Sequence, residues 1–164
     1  MLIRRATPDD AGAIAAIWNP FIRDTLVTFC PVEKSATDVA AMIAERDRLG
    51  HATFVAVDAV NDPALGFASY SQFRAGAGYA TCMEHTILLA PAARARGAGR
   101  ALMSALLAHA KAAGAHQMIA GVSAANPGGV AFHAALGFAE IARVREAGRK
   151  FGRFIDLVLM QKFL

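Results

Sequence analysis

The chain has 164 residues, 55% of them hydrophobic, with a net charge of +4 and a mean hydropathy of +0.37. That length predicts one domain, residues 1–164, with a buried core, while no apolar run approaches the roughly 18 residues a membrane helix needs. The modest charge, with its arginines gathered in loops, favours a small anionic ligand over a nucleic-acid face.

The elements alternate along the chain. Leu2–Ala6 reads as a strand, after which Thr7 caps a helix with Pro8 at its first position. Ile14, Ile17, Trp18, Phe21 and Ile22 recur at helical spacing and read as its buried face. Residues 25–34 look irregular, and Ser35 or Thr37 caps a second helix that runs to about Leu49 and ends at Gly50. Thr53–Asp58 and Leu65–Phe73 flank an Asn61-Asp62-Pro63 turn and suggest an antiparallel hairpin. Tyr79–Leu89 reads as a long strand stopped by Pro91, followed by a helix from near Gly97 to Ala113. Gln117–Ser123 is a strand and Asn126–Leu136 a short helix. Phe138–Val144 and Phe154–Met160 form a final pair of strands around a Gly/Arg-rich loop. The order predicts a mixed α/β sheet. Cys30 and Cys82 lack metal-ligand spacing and read as free thiols of a reducing cytoplasm, no metal site is expected, and Met1–Arg5 carries no apolar signal core.

The most informative segment is Arg94-Ala95-Arg96-Gly97-Ala98-Gly99-Arg100, placed between an apolar strand and an Ala/Leu-rich helix. A helix N-terminus offers free backbone N–H groups and a positive dipole end to an anion. Gly97 and Gly99 let the backbone approach it closely, and Arg94, Arg96 and Arg100 suit phosphate oxygens; the alternative is a surface loop whose glycines merely serve the turn. A dinucleotide fingerprint fails because Leu102 stands where its third glycine would be, and no Gly-Lys-Ser/Thr of a phosphate-binding NTPase loop occurs. The pattern that remains, R-x-x-G-x-G, resembles the acyl-CoA pyrophosphate loop of the GNAT superfamily of N-acyltransferases.

The resemblance extends along essentially the whole chain, toward the branch holding phosphinothricin and methionine sulfone/sulfoximine acetyltransferases. It is carried by Asn19-Pro20-Phe21-Ile22 with Thr25 and Thr28-Phe29, and by Phe73-Arg74 with Gly78-Tyr79 and Glu84. Asn126 with His133 and Leu136-Gly137-Phe138, then Lys150, Gly152, Phe154 and Asp156, complete it. Phe154 replaces the usual tryptophan, Gly129 stands where serine is common, and Phe132 replaces a leucine. The resemblance implies a GNAT fold, with a mixed, mostly antiparallel sheet of about seven strands and about four helices. It also implies acetyl-CoA as co-substrate, a small-molecule amine as acceptor, and a homodimer.

The chemistry assigns roles. Acetyl transfer to an amine needs that amine neutral, so a base is required. Glu84 interrupts an apolar strand, where partial burial would raise its pKa, and the branch's matching glutamate is the proposed base. The alternative is a strand-edge carboxylate facing water or an arginine. The resemblance implies that a bulge splays this strand from the next, and that backbone groups of Ile87, Leu88 and Leu89 receive the thioester and its oxyanion. His133 stands where most GNAT enzymes place a tyrosine that protonates the thiolate; a locally bonded helix histidine is the alternative. His85 is expected on the opposite face from Glu84. Asn126 caps a helix and, by resemblance, contacts the pantetheine arm. Arg74 would bind an acceptor carboxylate, or be a solvated strand-end arginine; Thr28, Phe29 and Tyr79 would wall the acceptor pocket. The reading is a cytoplasmic N-acetyltransferase for a small amino acid or analogue. A same-fold enzyme for another amine, and a non-catalytic acyl-CoA sensor, are the rivals.

Overall fold

Strands and helices alternate through residues 1–164, all of which the computed structural model describes. The order is β1 (Leu2–Arg5), α1 (Ala11–Asp24), α2 (Ala36–Arg48), β2 (Thr53–Val57), β3 (Gly66–Gln72) and β4 (Cys82–Leu89). Then follow α3 (Ala98–Ala112), β5 (Gln117–Ser123), α4 (Pro127–Ala135), β6 (Ala139–Lys150) and β7 (Arg153–Phe163). One seven-stranded sheet runs β1-β2-β3-β4-β5-β7-β6, and only the β4–β5 neighbours are parallel. The expected α/β class, strand number and helix number are all present.

Local chemistry explains the boundaries. Pro8–Asp10 forms a 3₁₀ turn whose Asp10 carboxylate accepts from the Thr7 N–H at 2.8 Å, so α1 begins at Ala11 rather than at Thr7. Ser35, not Thr37, caps α2: its Oγ accepts from Asp38 N–H at 3.1 Å while Asp38 accepts from Ser35 N–H at 2.8 Å. The strand expected from Tyr79 begins at Cys82, because Ala77–Tyr79 forms a 3₁₀ turn after Gly76 at φ +109°. The Gly/Arg-rich loop expected near 145–153 is mostly strand. Phe151 and Gly152, at φ +51° and +72°, close the β6–β7 hairpin in two residues. A register shift between Val144 and Gly148, with Glu146 at φ +53°, breaks the alternation that would have marked this strand.

The sheet is packed on both faces. Tyr70, Leu102, Met103, Leu106 and Met118 belong to the core under α3. Ile14, Ile43, Val55, Val57, Phe67 and Leu88 belong to the core under α1 and α2. Along β4 the alternation puts Met83 and Ile87 in the first and Leu88 in the second. Glu84 and Thr86 therefore share the α1/α2 side, and His85 the α3/α4 side.

What positions the site is how β4 ends its pairing. It stays in continuous register with β3 from Gln72↔Met83 to Gly66↔Leu89. With β5 it pairs only at Cys82↔Gln117, Met83↔Met118 and Glu84↔Ile119. Beyond Glu84 the two strands diverge. The splay is present, but no register shift in the β3–β4 ladder marks the bulge that was expected to cause it.

Candidate active site

The divergence of β4 and β5 leaves a cavity of about 210 Å³, lined by Thr28, Phe29, Ile87, Leu88, Asn126 and His133 among others. A second cavity of about 220 Å³ lies on the α1/α2 side and is lined by Glu84, Met42, Arg46 and Ser71. Trp18, His85, Thr86 and Gly121 line both. Glu84 thus faces one side of the gap and His133 the other, with shared walls between them. Trp18, expected as core, tilts against Phe67 at 5.0 Å and also walls both cavities.

Glu84 makes no ion pair, and burial alone lifts its carboxyl above the usual glutamate range. Its position depends on Gly121 of β5: a Cβ there would lie 3.0 Å from Glu84 Oε1. Burial and the neighbouring Glu84 charge push the Cys82 thiol up as well, which keeps it protonated.

His133 and His85 are both buried, and their Nε2 atoms are 2.9 Å apart. The remaining nitrogens face carbonyls: His133 Nδ1 to Gly129 O at 2.7 Å and His85 Nδ1 to Ile119 O at 3.1 Å. A carbonyl only accepts, so each Nδ1 needs its proton, and the Nε2–Nε2 contact needs another. Two neutral imidazoles carry two protons for these three contacts. Burial pushes both rings toward the neutral form. With both rings neutral, the contact between the Nε2 atoms is therefore one proton short. Phe138 packs on both rings at 5.6 and 5.4 Å and fixes them.

The N-terminus of α3 fits an anion. From Ala95 to Arg100 no backbone N–H has an intramolecular acceptor, and Ala95 and Gly97 adopt φ +58° and +80°. Such a run of unpaired N–H groups with left-handed residues is an anion nest. The space beside Gly97 is open, whereas Gly99 backs onto Phe132 and Leu89, which a Cβ would meet at 3.1 to 3.3 Å. Ala98, the first residue of α3, is buried. Arg96 is engaged by Asp58 at 2.7 Å, and Arg94 borders an apolar depression beside α1. Arg100 is exposed on the first turn. Leu89 packs on Gly66 and Gly99 instead of lining the gap.

Asn126 caps α4, its Oδ1 accepting from Gly129 N–H at 3.0 Å. A Cβ at Gly129 would stand 2.4 Å from Asn126 Nδ2, so glycine accommodates this cap. Residues 25–34 are tied down from several elements. Asn19 exchanges two hydrogen bonds with the Lys34 backbone at 2.8 and 3.0 Å. The buried Lys150 Nζ donates to Thr28 O at 2.8 Å and Phe21 O at 3.3 Å. Phe29 packs on bare Gly148. Arg74 and Tyr79 are not brought to Glu84. Arg74 is exposed, 5.7 Å over the Phe73 ring, in a neighbouring depression, and Tyr79 is 45% exposed.

Residues 19–138 match the Acetyltransferase (GNAT) family. The chain is 32% identical to the L-methionine sulfoximine/L-methionine sulfone acetyltransferase of Salmonella typhimurium, over 98% of this chain and 93% of that one. A ribosomal-protein-alanine N-acetyltransferase from Brucella melitensis superposes with TM-score 0.94 at 34% identity, covering 100% of both chains. A phosphinothricin acetyltransferase from Sinorhizobium meliloti, solved with acetyl-CoA, gives TM-score 0.93 at 32% identity, covering 99% of this chain and 88% of that one. With its diverging central strands and an anion nest opening α3, the chain belongs to the GNAT family of acetyl-CoA-dependent N-acetyltransferases.

Proposed function

We propose that this enzyme transfers the acetyl group of acetyl-CoA directly to the α-amine of a small amino acid of the methionine sulfone, methionine sulfoximine or phosphinothricin type. The reading rests chiefly on the two cavities that meet across the β4–β5 gap, Glu84 lining one and His133 the other. The nest at Ala95–Arg100 would hold the pyrophosphate, with Arg94 and Arg100 free to turn toward it. Asn126, Ile87 and Leu88 would flank the pantetheine arm, and Thr28 and Phe29 the acetyl end.

Chemistry then follows from the side chains. Glu84 takes a proton from the ammonium, directly or through water, and the freed lone pair attacks the thioester carbon. Backbone N–H groups of β4 that have lost their β5 partners face the developing oxyanion. The C–S bond breaks as the C–N bond is retained; the nitrogen gives up its second proton to the proton-deficient His85–His133 contact, which passes it to the departing thiolate. A covalent acetyl-cysteine route is disfavoured, because the Cys82 thiol is held protonated.

The test is thiol release from acetyl-CoA against methionine sulfone, methionine sulfoximine, phosphinothricin, spermidine, common amino acids and an alanine-initiated peptide. Turnover on the sulfone or phosphinate compounds, lost in Glu84→Gln, supports the reading. Turnover on the peptide alone moves the acceptor to protein N-termini, and silence with tight acetyl-CoA binding favours a sensor. We also propose a cytoplasmic homodimer, with exposed Ile141, Val144 and Phe154 of the outer hairpin facing the second copy. Light scattering that returns twice the chain mass supports the dimer.

A further inference from the structure

We infer that Arg46 is the side chain that receives the acceptor's carboxylate; this rests on the amino-acid reading above and replaces Arg74 in that role. Arg46 lies near the end of α2, on the stripe that includes Val39, Met42 and Ile43. Its stem is therefore directed at the sheet, and the residue borders the cavity that holds Glu84.

The guanidinium has no partner within the protein. Its Nε is shielded from solvent and makes no hydrogen bond. The neighbouring carboxylates are occupied elsewhere: Glu45 takes both bonds from Arg48 at 2.8 Å, Asp47 pairs with Arg5, and Asp38 caps the helix. Glu84 borders the same cavity yet shows no charge interaction with Arg46, since burial is the only cause of its raised pKa. Burial lowers the Arg46 pKa, opposed only by Glu45. An unpaired donor shielded in this way destabilises the free protein, and a ligand oxygen would relieve it.

The two charged side chains that line the cavity complement a zwitterion. Glu84 accepts from the ammonium, and the fork of Arg46 matches a carboxylate with two parallel N–H donors. Arg74 lines the adjoining depression, which shares Arg46 and Ser71 with this cavity. That places Arg74 in a depression that Glu84 does not line.

The experiment pairs any α-amino acid the wild type acetylates, L-methionine sulfone first, with its α-carboxamide. It compares kcat/KM for both in wild type, Arg46→Gln, Arg46→Lys and Arg74→Gln. In Arg46→Gln the preference for the acid over the amide falls about 10- to 100-fold, the range of a charge-assisted hydrogen bond. Arg46→Lys, which keeps the charge but loses the fork, retains an intermediate preference and covers the case in which the glutamine variant folds poorly. A merely structural arginine would instead lower the melting temperature and raise KM for acetyl-CoA in parallel. An unchanged preference in both Arg46 variants, or its loss in Arg74→Gln alone, overturns the assignment while leaving the acetyltransferase reading intact. Wild type that acetylates no α-amino acid overturns both.

Discussion

Gly121 and Gly129 do much of the positioning, each by lacking a side chain. At Gly121 a methyl group would press on the end of the Glu84 carboxylate at 3.0 Å and touch Leu157 at an ordinary contact distance of 3.6 Å. Gly121→Ala is expected to lower kcat at least tenfold, the order set by a displaced general base, with little change in melting temperature. A parallel fall in both would contradict this. At Gly129 a methyl group would meet the Asn126 amide at 2.4 Å and Val122 at 3.1 Å. Gly129→Ala is therefore expected to cost about 1 kcal/mol through the lost cap and to raise KM for acetyl-CoA, measured by thermal melting and initial rates. Glu84 was legible in the sequence because a lone carboxylate broke an apolar strand. His85 was placed correctly on the opposite face by alternation, but nothing in its spacing announced a contact with His133, 48 residues further along the chain. Arg46 carried a faint signal, a cation continuing an apolar helical stripe, that propensity reasoning treats as a snorkelling surface residue.

At the level of elements, the site depends on two breaks in regular structure. One is the end of β4–β5 pairing after Glu84↔Ile119; the other is the left-handed entry into α3 at Gly97. The second was readable from glycine and arginine spacing once its place between an apolar strand and a helix was taken into account, since arginine-glycine loops alone are common turns. The first was anticipated only through the family resemblance, because strand divergence leaves no pattern in side-chain hydropathy. Lys150 joins β6 to the 25–34 segment by donating to Thr28 and Phe21 carbonyls. Lys150→Met leaves the Thr28 carbonyl short of a donor, while Phe21 O keeps the Thr25 hydroxyl at 2.7 Å, and frees the segment that carries Thr28 and Phe29. The expected outcome is a raised KM for both substrates and a lower melting temperature, a loss of about 1–3 kcal/mol. An unchanged KM would detach that segment from the site.

For the whole molecule, the alternation of strands and helices in the sequence was enough to predict the mixed sheet and its approximate strand count. The β6–β7 hairpin was underestimated because positive-φ residues and a register shift interrupt its alternation. Four histidines, His51, His85, His109 and His133, have pKa values lowered from 6.5, burial being the first cause in each. His109 is also held neutral by geometry: Arg5 donates to its Nε2 at 2.8 Å, and its Nδ1 then donates to the Tyr70 hydroxyl at 2.8 Å. Just below pH 6.5 the unfolded chain binds more protons at these sites than the folded one, so stability is full above that pH and is lost as pH falls. Denaturation midpoints should stay level from about pH 8 to about 6.5 and decline from there toward about pH 5, and a flat profile below 6.5 would contradict the burial of these rings. The central claim is that Glu84, with its raised pKa at the edge of the β4–β5 gap, removes the acceptor's proton. Its most direct test is the pH dependence of kcat/KM for methionine sulfone in wild type and Glu84→Gln. The account predicts a wild-type acid limb above the ordinary glutamate range, and its disappearance in the variant with a loss of about 10²- to 10⁴-fold in rate; a variant that keeps both the rate and the limb would contradict it.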